Sequence, residues 1–215
     1  MRELDIIGVQ MDLGASKRGV AMGPMAIRYG GVREGLEKMG FTVHDRGDIV
    51  PPEEGESRPG LRYYDQVVDV NRRLYEQVRD SLGQGHFPIC LGGDHSIAAG
   101  SIAAAAEHYA GQGGIWIDAH GDWNNEESSY TGNMHGMPFS AVCGHGPVGM
   151  VDFGQGPVYV DTRHCVQIGG RDIDDKERLR MKAAGVTVFP INVIDKYGMD
   201  EIMSRALAVA GAGTA

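Results

Sequence analysis

The sequence predicts an α/β fold of three layers, in which helices cover both faces of a mostly parallel β-sheet. Short apolar segments alternate along the chain with segments of helical spacing, as they do in successive βα units. Neither an internal repeat nor a linker of domain size interrupts this alternation. We therefore predict that residues 1–215 form a single domain.

Each predicted element rests on its hydrophobic spacing and on the turn residues at its ends. The first helix, for example, places Ile27, Val32, Leu36 and Met39 on one face and ends at Gly40. In chain order we predict a strand over residues 4–9, a helix over 24–39, an extended segment over 41–43, a loop over 51–60, a helix over 64–82, a strand over 87–91, a helix over 97–109, a strand over 115–117, a polar loop over 121–140, a strand over 164–168, a helix over 174–184, a strand over 186–189 and a helix over 200–210.

The composition excludes several classes of protein. Hydrophobic residues make up 42% and charged residues 23% of the chain, as in ordinary globular proteins. A net charge of −9 without a block of Lys or Arg argues against nucleic-acid binding. The sequence has neither a signal peptide nor an apolar stretch that could span a membrane, so a cytoplasmic protein is expected. Cys90, Cys143 and Cys165 are too widely spaced to suggest a disulfide framework or a zinc ribbon.

Two apolar runs end in clusters of histidine and aspartate. Residues 114–117 lead directly into Asp118, His120 and Asp122, and residues 87–91 lead into a Gly-Gly-Asp-His-Ser segment that contains His95. If the strand continues to residue 122, the period of two sends the three side chains to the same side. His95 would reach them from an adjacent strand. Ligands of open α/β sheets bind at the carboxyl ends of strands, which is where both clusters lie.

The chemistry of these side chains indicates a metal site with two ions. Two close carboxylates are costly to bury unless a cation holds them together. Carboxylates and imidazoles without a thiolate favour Mn²⁺, with Fe²⁺, Co²⁺ or Ni²⁺ as alternatives. A loop held only by hydrogen bonds is the competing interpretation of the Asp-x-His-x-Asp motif, but the second cluster on the preceding strand favours the metal site.

In these residues the chain resembles the ureohydrolase family, which includes arginases and agmatinases. Besides the two clusters, the segments MDLG (11–14), RGVAMGP (18–24) and AIRY (26–29) resemble the N-terminal part of bacterial arginases. The segment GNMHGMP (132–138) resembles the arginase substrate loop. The resemblance runs in order over essentially the whole chain.

The resemblance implies a site for two Mn²⁺ ions and a hydrolytic reaction. His95, Asp118, His120 and Asp122 would be metal ligands, with Asp118 bridging the two ions. A hydroxide between the metals would attack the guanidinium carbon of L-arginine, and the intermediate would collapse to urea and L-ornithine. His135 matches the family's proton-shuttle histidine, a role that suits an imidazole.

The resemblance also implies how the small guanidino substrate is held. Asn124, Thr131 and Asn133 match positions that bind the substrate α-carboxylate, and Asp174 and Glu177 match the region that receives the α-amino group. Neutral donors suit a carboxylate and anionic groups suit an ammonium. For Asp174 and Glu177 a helix start is an equally good interpretation, since acidic residues favour that position. Agmatine has no α-carboxylate, so the carboxylate-binding set favours L-arginine.

One part of the family pattern is missing from the sequence. The family supplies two more metal-binding aspartates in a Ser-x-Asp-x-Asp context, and a later acidic residue for the guanidinium, on C-terminal strands that lie in the middle of its sheet. We find no such motif before the chain ends. The arginase-like fold is therefore expected with its C-terminal strands missing, either because the chain is a fragment or because it is a true short form.

These observations leave three functions open. The first is a manganese-dependent arginase, and the second an agmatinase or another guanidino hydrolase. The third is a catalytically inactive partner protein of ureohydrolase fold, which the absent aspartate pair favours and the intact His135 loop disfavours. The family resemblance also implies a homo-oligomer, a trimer or a hexamer.

Overall fold

The computed structural model describes residues 2–153 and 156–213, and the strands within these ranges form two parallel sheets of three. The first sheet has the order β2-β1-β3 and the second the order β4-β5-β6. The strands are β1 (Glu3–Val9), β2 (Thr42–Ile49), β3 (Phe87–Leu91), β4 (Gly114–Ile117), β5 (Cys165–Ile168) and β6 (Thr187–Phe189). All pairings are parallel, which confirms the predicted α/β class.

Helices lie between all successive strands and after β6. They are α1 (Gly23–Tyr29), α2 (Val32–Lys38), α3 (Tyr64–Gly83), α4 (Ala98–His108), α5 (Pro138–Val142), α6 (Val148–Val151), α7 (Asp175–Ala184), α8 (Ile191–Tyr197) and α9 (Met199–Ala210). Short 3₁₀ turns include His95–Ile97 and Met134–Gly136, which both lie near the site described below. No helix in the described ranges has both the length and the apolar character needed to cross a bilayer.

The strands that carry the two His/Asp clusters are not adjacent, which corrects the prediction made for His95. β3 pairs with β1, and β4 pairs with β5, so each is an edge strand of its own sheet. Within the described residues, no hydrogen-bonded ladder joins β3 to β4. This separation agrees with the strand arrangement that the family resemblance implies, in which further strands lie between them.

The two sheets and the helices packed on them form two halves of the fold, one with β1–β3 and one with β4–β6. Helix α4 lies between the hydrophobic cores of these halves. Ala99 and Ala103 belong to the core built on β1 and α3, whereas Ala98 belongs to the core around Trp116. The α3 helix approaches closely, because Gly100 donates its N–H to Asn71 Oδ1 at 2.8 Å and a Cβ at Gly100 would lie 2.2 Å from the Asn71 carbonyl oxygen. The small residues of α4 therefore let it pack against both halves.

The long helix α3 owes its stability to one apolar face. Val67, Val70, Leu74 and Val78 recur at helical spacing and are all but fully buried. Burying each such side chain contributes about 1.5–3 kcal/mol relative to leaving it in water. This face packs on the first sheet, in the same core as Ile7 and Val9 of β1. The helix itself is predicted by the sequence over residues 64–82.

The predicted helix over residues 24–39 is wrong as a single element. It is broken into α1 and α2 at Gly31, which adopts φ 82° in the left-handed region. As a result, Ile27 is 42% and Met39 73% exposed, while Val32 and Leu36 pack against the core near Leu4.

The strand after α2 is longer than the extended segment predicted over residues 41–43. It continues to Ile49 through the polar residues 44–48 and pairs along β1, with an irregularity in register between Ile6 and Gly8. Only Val43 and Ile49 of β2 are buried, so hydrophobic spacing could not show its full length.

Candidate metal centre and substrate pocket

His95 is placed by the turn that follows β3. Asp94 begins a 3₁₀ turn there, and its Oδ1 accepts hydrogen bonds from the Ser96 N–H at 3.0 Å and the Ser96 hydroxyl at 2.6 Å. Its Oδ2 accepts the Gly14 N–H at 2.8 Å. Asp94 is buried, and burial raises its pKa. Its carboxylate therefore fixes the turn, while the neighbouring His95 imidazole faces the site.

Asp118 and Asp122 are placed by the loop that follows β4. The strand ends at Ile117, as predicted, and Asp122 has φ 48°. The condition that the strand continues to residue 122 is therefore not met. Gln167 on β5 donates its amide to the Asp118 carbonyl at 2.8 Å and to the His120 carbonyl at 3.0 Å. The loop is therefore shaped by a neighbouring strand rather than by β alternation.

Three of the four predicted metal ligands converge on one point. The Nδ1 atom of His95 lies 3.0 Å from Asp118 Oδ2 and 2.8 Å from Asp122 Oδ2. One potential ligand atom from each of the three residues falls within 4.8 Å of the others. His120 lies outside this group, but its Nδ1 is 3.0 Å from Asp118 Oδ1. The Asp118 carboxylate thus lies between two imidazoles and offers one oxygen to each.

The electrostatics of this group favour a cation. Burial disfavours a charged His95, but the hydrogen bonds and charges of Asp118 and Asp122 outweigh it and raise the pKa of His95 to about 9. Burial likewise opposes ionisation of Asp118, yet the contact with His95 holds the pKa of that carboxyl well below its usual range. The proton on His95 therefore occupies a place where two carboxylates attract positive charge.

The donor set fits a divalent metal ion. Oxygen and imidazole ligands without thiolates are those of Mn²⁺ and neighbouring divalent metals. Trp116 stacks on His95 at 4.2 Å between ring centroids and on Phe139 at 4.7 Å. Such an aromatic wall limits how far the His95 ring can turn and so keeps its Nδ1 directed at the two carboxylates.

A pocket of about 330 Å³ opens beside the metal-ligand group. It brings together His135 and all five of the predicted substrate-binding residues, which come from two separate segments of the sequence, 124–135 and 174–177. Its walls are His120, Asp122, Asn124, Ser129, Tyr130, Thr131, Asn133, His135, Gly136, Asp172, Asp174 and Glu177. The predicted set lacks Ser129, Tyr130, Gly136 and Asp172. The first three lie in the predicted polar loop, and Asp172 lies two residues before Asp174.

The polar loop over residues 121–140 is held by its own polar groups and by the segment after β1. Asn124 Oδ1 accepts the Ser128 hydroxyl at 2.8 Å, and Thr131 Oγ1 accepts the Asn133 N–H at 3.2 Å. Asn133 Nδ2 donates to the Ser16 hydroxyl at 2.8 Å. These bonds fix the positions of the neutral polar groups in the pocket.

Glu177 and Asp174 differ in how free they are to meet a ligand. Glu177 is buried, with Oε1 accepting the Trp123 N–H at 2.8 Å and Oε2 accepting the Asp174 N–H at 3.1 Å. Burial raises the pKa of Glu177. Asp174 is exposed at the start of α7. The helix-start interpretation therefore describes both residues, which form a capping box at the start of α7. Asp174 differs in that its carboxylate is also exposed at the pocket.

A larger cavity lies elsewhere and contains none of the predicted site residues. It measures about 600 Å³ and lies between α7 and β6, where Met181 and Val188 contribute apolar walls. We place the site at the smaller pocket, because the titratable groups converge there and the metal-ligand group adjoins it.

Comparison with known proteins agrees with the motifs and with the fold. The model of the Arginase family matches residues 2–215. The arginase of Brevibacillus brevis is 46% identical over 209 residues, which are 96% of this chain and 70% of that protein. The arginase of Bacillus caldovelox is 41% identical over 214 residues, which are 97% of this chain and 71% of that protein.

Solved structures show the same relation. The native structure of Bacillus caldovelox arginase superposes with a TM-score of 0.95 at 38% identity, covering 100% of this chain and 73% of that chain. Arginase from Bacillus cereus gives a TM-score of 0.91 at 43% identity, covering 98% of this chain and 72% of that one. The family match over nearly the full length, together with these relatives and with the predicted arginase-like fold, shows that the chain belongs to the arginase family.

Proposed function

We propose that this site hydrolyses the guanidinium group of L-arginine to urea and L-ornithine with manganese as its cofactor. The observation that carries the proposal is the pocket in which His135 and neutral amide and hydroxyl groups lie beside a group of two carboxylates and an imidazole. The arginase relatives support the choice of substrate. A cationic guanidinium is also attracted by an acidic pocket.

The proposed role of each site residue follows from its charge and its position. His95, Asp118, Asp122 and His120 would hold the metal ions, whose positive charge acidifies a coordinated water. His135 lines the pocket beside them and would move a proton to the departing amine.

The other end of the substrate would be fixed by the pocket wall. Asn124, Thr131 and Asn133 present donors that suit the α-carboxylate. Asp174 suits the α-ammonium, because it is exposed in the pocket, while Glu177 supports the wall through its two backbone hydrogen bonds. This arrangement favours L-arginine over agmatine, which would leave the carboxylate-binding groups unused.

Urea release from L-arginine and from agmatine, measured after incubation with Mn²⁺, tests the proposal. We expect urea from L-arginine and at least a tenfold lower rate from agmatine. Asp118→Asn and His120→Asn should abolish urea release, whereas His135→Ala should lower kcat with manganese content unchanged. His108→Ala, on the exposed end of α4, is the matched control and should behave as the unmodified chain.

The outcomes separate the three functions. A higher rate with agmatine would replace arginase activity with agmatinase activity. No urea from either substrate, together with fewer than two bound manganese ions per chain, would support the inactive partner protein. Activity retained at the parental level in both Asp118→Asn and His120→Asn would contradict the metal centre itself.

A further inference from the structure

A second group of potential metal ligands lies at the amino ends of the strands of the first sheet, away from the candidate metal centre at the carboxyl ends. One ligand atom from each of Glu3, His44 and His86 falls within 4.8 Å of the others. Glu3 begins β1, His44 lies near the start of β2 and His86 directly precedes β3. Because the three strands are parallel, these residues meet at their amino ends, whereas His95 follows the carboxyl end of β3.

The strand register explains why Glu3, His44 and His86 lie close together. Asp5 of β1 is the register partner of His44 on β2, and Glu3 lies two residues earlier on the same face of β1. The pairing of Leu4 with Phe87 brings His86 to the level of Glu3. The result is direct contact, since Glu3 Oε2 lies 2.6 Å from His44 Nε2.

The two imidazoles are held side by side. Their ring centroids are 5.1 Å apart and their planes are inclined by 14°. Asp5 is fully buried beneath them, and its Oδ1 lies 3.1 Å from His86 Nδ1. A carboxylate that binds one ring nitrogen orients the other toward a metal, so Nε2 of His86 is the nitrogen available for a ligand.

The charges around the group favour a cation. The side chains of Glu3, Asp5 and Asp80 are acidic, and the basic side chain of Arg46 contacts Asp5 and Asp80, while Glu3 contacts His44. Arg46 is itself held by Asp5 at 2.6 Å and by Asp80 at 2.5 Å.

We propose that Glu3, His44 and His86 form a second metal site, which binds one Zn²⁺ ion and is separate from the arginase centre. Two imidazoles and one carboxylate with an open fourth position are a common zinc ligand set. Two nitrogen donors favour Zn²⁺ over Mn²⁺ or Mg²⁺. A bound ion would tie together the amino ends of β1, β2 and β3, where Glu3 and the two histidines are all accessible to solvent.

Zinc titration of the tag-free chain against a chromophoric chelator tests this site. The Asp118→Asn substitution weakens metal binding at the arginase centre. In chains with this substitution we expect one tightly bound Zn²⁺ per chain. Adding His44→Ala or His86→Ala should remove that ion, and adding Glu3→Gln should weaken it at least tenfold. His108→Ala in the same background is the control, since His108 lies outside both groups, and should retain the ion.

A structural readout distinguishes loss of the site from loss of the fold. His44 is exposed and His86 partly exposed, so their truncation leaves no buried cavity, and circular dichroism should be unchanged. Zn²⁺ should raise the melting temperature of the Asp118→Asn chain and not that of its His44→Ala derivative. Equal zinc binding by folded Asp118→Asn and Asp118→Asn/His44→Ala chains would overturn the second site, and it would leave the arginase proposal untouched.

Discussion

Glu177 connects two segments of the pocket wall through a single buried carboxylate. One of its oxygens accepts the N–H of Trp123 in the loop after β4, and the other accepts the N–H of Asp174 at the start of α7. Gly121 adjoins the same carboxylate, since a Cβ at Gly121 would lie 3.1 Å from Glu177 Oε1. The position of the loop therefore depends on a helix residue more than fifty positions away in the chain.

Glu177→Gln should destabilise the protein by about 1–3 kcal/mol, the cost of leaving a buried donor unpaired. The amide has one oxygen and one NH₂ group, so it can accept only one of the two backbone N–H groups. Urea-induced unfolding followed by circular dichroism measures the change. The exposed Glu126→Gln is the control and should shift the free energy of unfolding by less than about 0.5 kcal/mol. A free energy unchanged in Glu177→Gln would mean that the two hydrogen bonds contribute nothing net.

The types of residue in the site could be predicted from the sequence, but their geometry could not. The motifs point to Asp118 and Asp122, and the structure brings both to His95. The route differs, because Asp122 reaches His95 through a left-handed backbone conformation rather than through strand alternation. The loop conformation depends on hydrogen bonds from Gln167, which lies on another strand and leaves no mark in the local pattern.

The break between α1 and α2 shows the limit of hydrophobic spacing as a guide to helices. The apolar spacing continues from Ile27 to Leu36, yet Gly31 ends one helix and precedes the next in the left-handed region. In the sequence, the pair Gly30 and Gly31 is the only sign of a break here. Tertiary packing decides whether such a pair bends or breaks a helix. The polar strand β2 was underestimated for a similar reason, since most of its residues face away from the core.

Two glycine substitutions in this region should have opposite effects. Gly31→Ala should destabilise the protein by about 1–2 kcal/mol, because a Cβ disfavours the left-handed conformation. Gly35→Ala in α2 should stabilise it by about 0.5–1 kcal/mol, since a Cβ there meets no atom within 4 Å and alanine favours the helix. Thermal unfolding of the two variants measures the difference. Equal shifts of the same sign would contradict the assigned helix boundary.

The metal-ligand group spans the two halves of the fold. His95 belongs to the half that contains β3, and Asp118 and Asp122 belong to the half that contains β4. The described strands of the two halves share no ladder, so packing through α4 and α5 and the contacts of this group hold them together. An ion bound by all three residues would connect the halves directly.

Mn²⁺ should therefore raise the melting temperature in a concentration-dependent way. At a hundredfold excess over Kd, binding to the native state alone contributes about 2.7 kcal/mol. For a chain of this length, that corresponds to an increase of about 5–10 °C. Differential scanning fluorimetry with increasing Mn²⁺ measures it, and Asp118→Asn is the control. The same increase in Asp118→Asn would show that the ion acts at another place.

The arginase family could be assigned from the motifs, whereas the division into two sheets could not be derived from spacing. Both clusters follow apolar strands, and hydrophobic spacing places each at a carboxyl end without saying which strands pair. Strand order is a non-local property, set by packing between segments far apart in sequence. The expectation that β3 and β4 are neighbours failed at this step, and only the resemblance to the family suggested their separation.

The stack of Trp116 on His95 would let tryptophan fluorescence report metal binding at the proposed centre. An indole 4.2 Å from an imidazole that carries a proton in the metal-free protein loses part of its fluorescence to that charged ring. Replacing the proton with a paramagnetic ion changes the emission again, and Trp116 is buried, so free ions in solvent reach it poorly. The other tryptophan, Trp123, stacks on neither ligand histidine and packs edge-on against Phe139. The fluorescence of Trp116 would therefore allow metal exchange to be followed in real time without an added label.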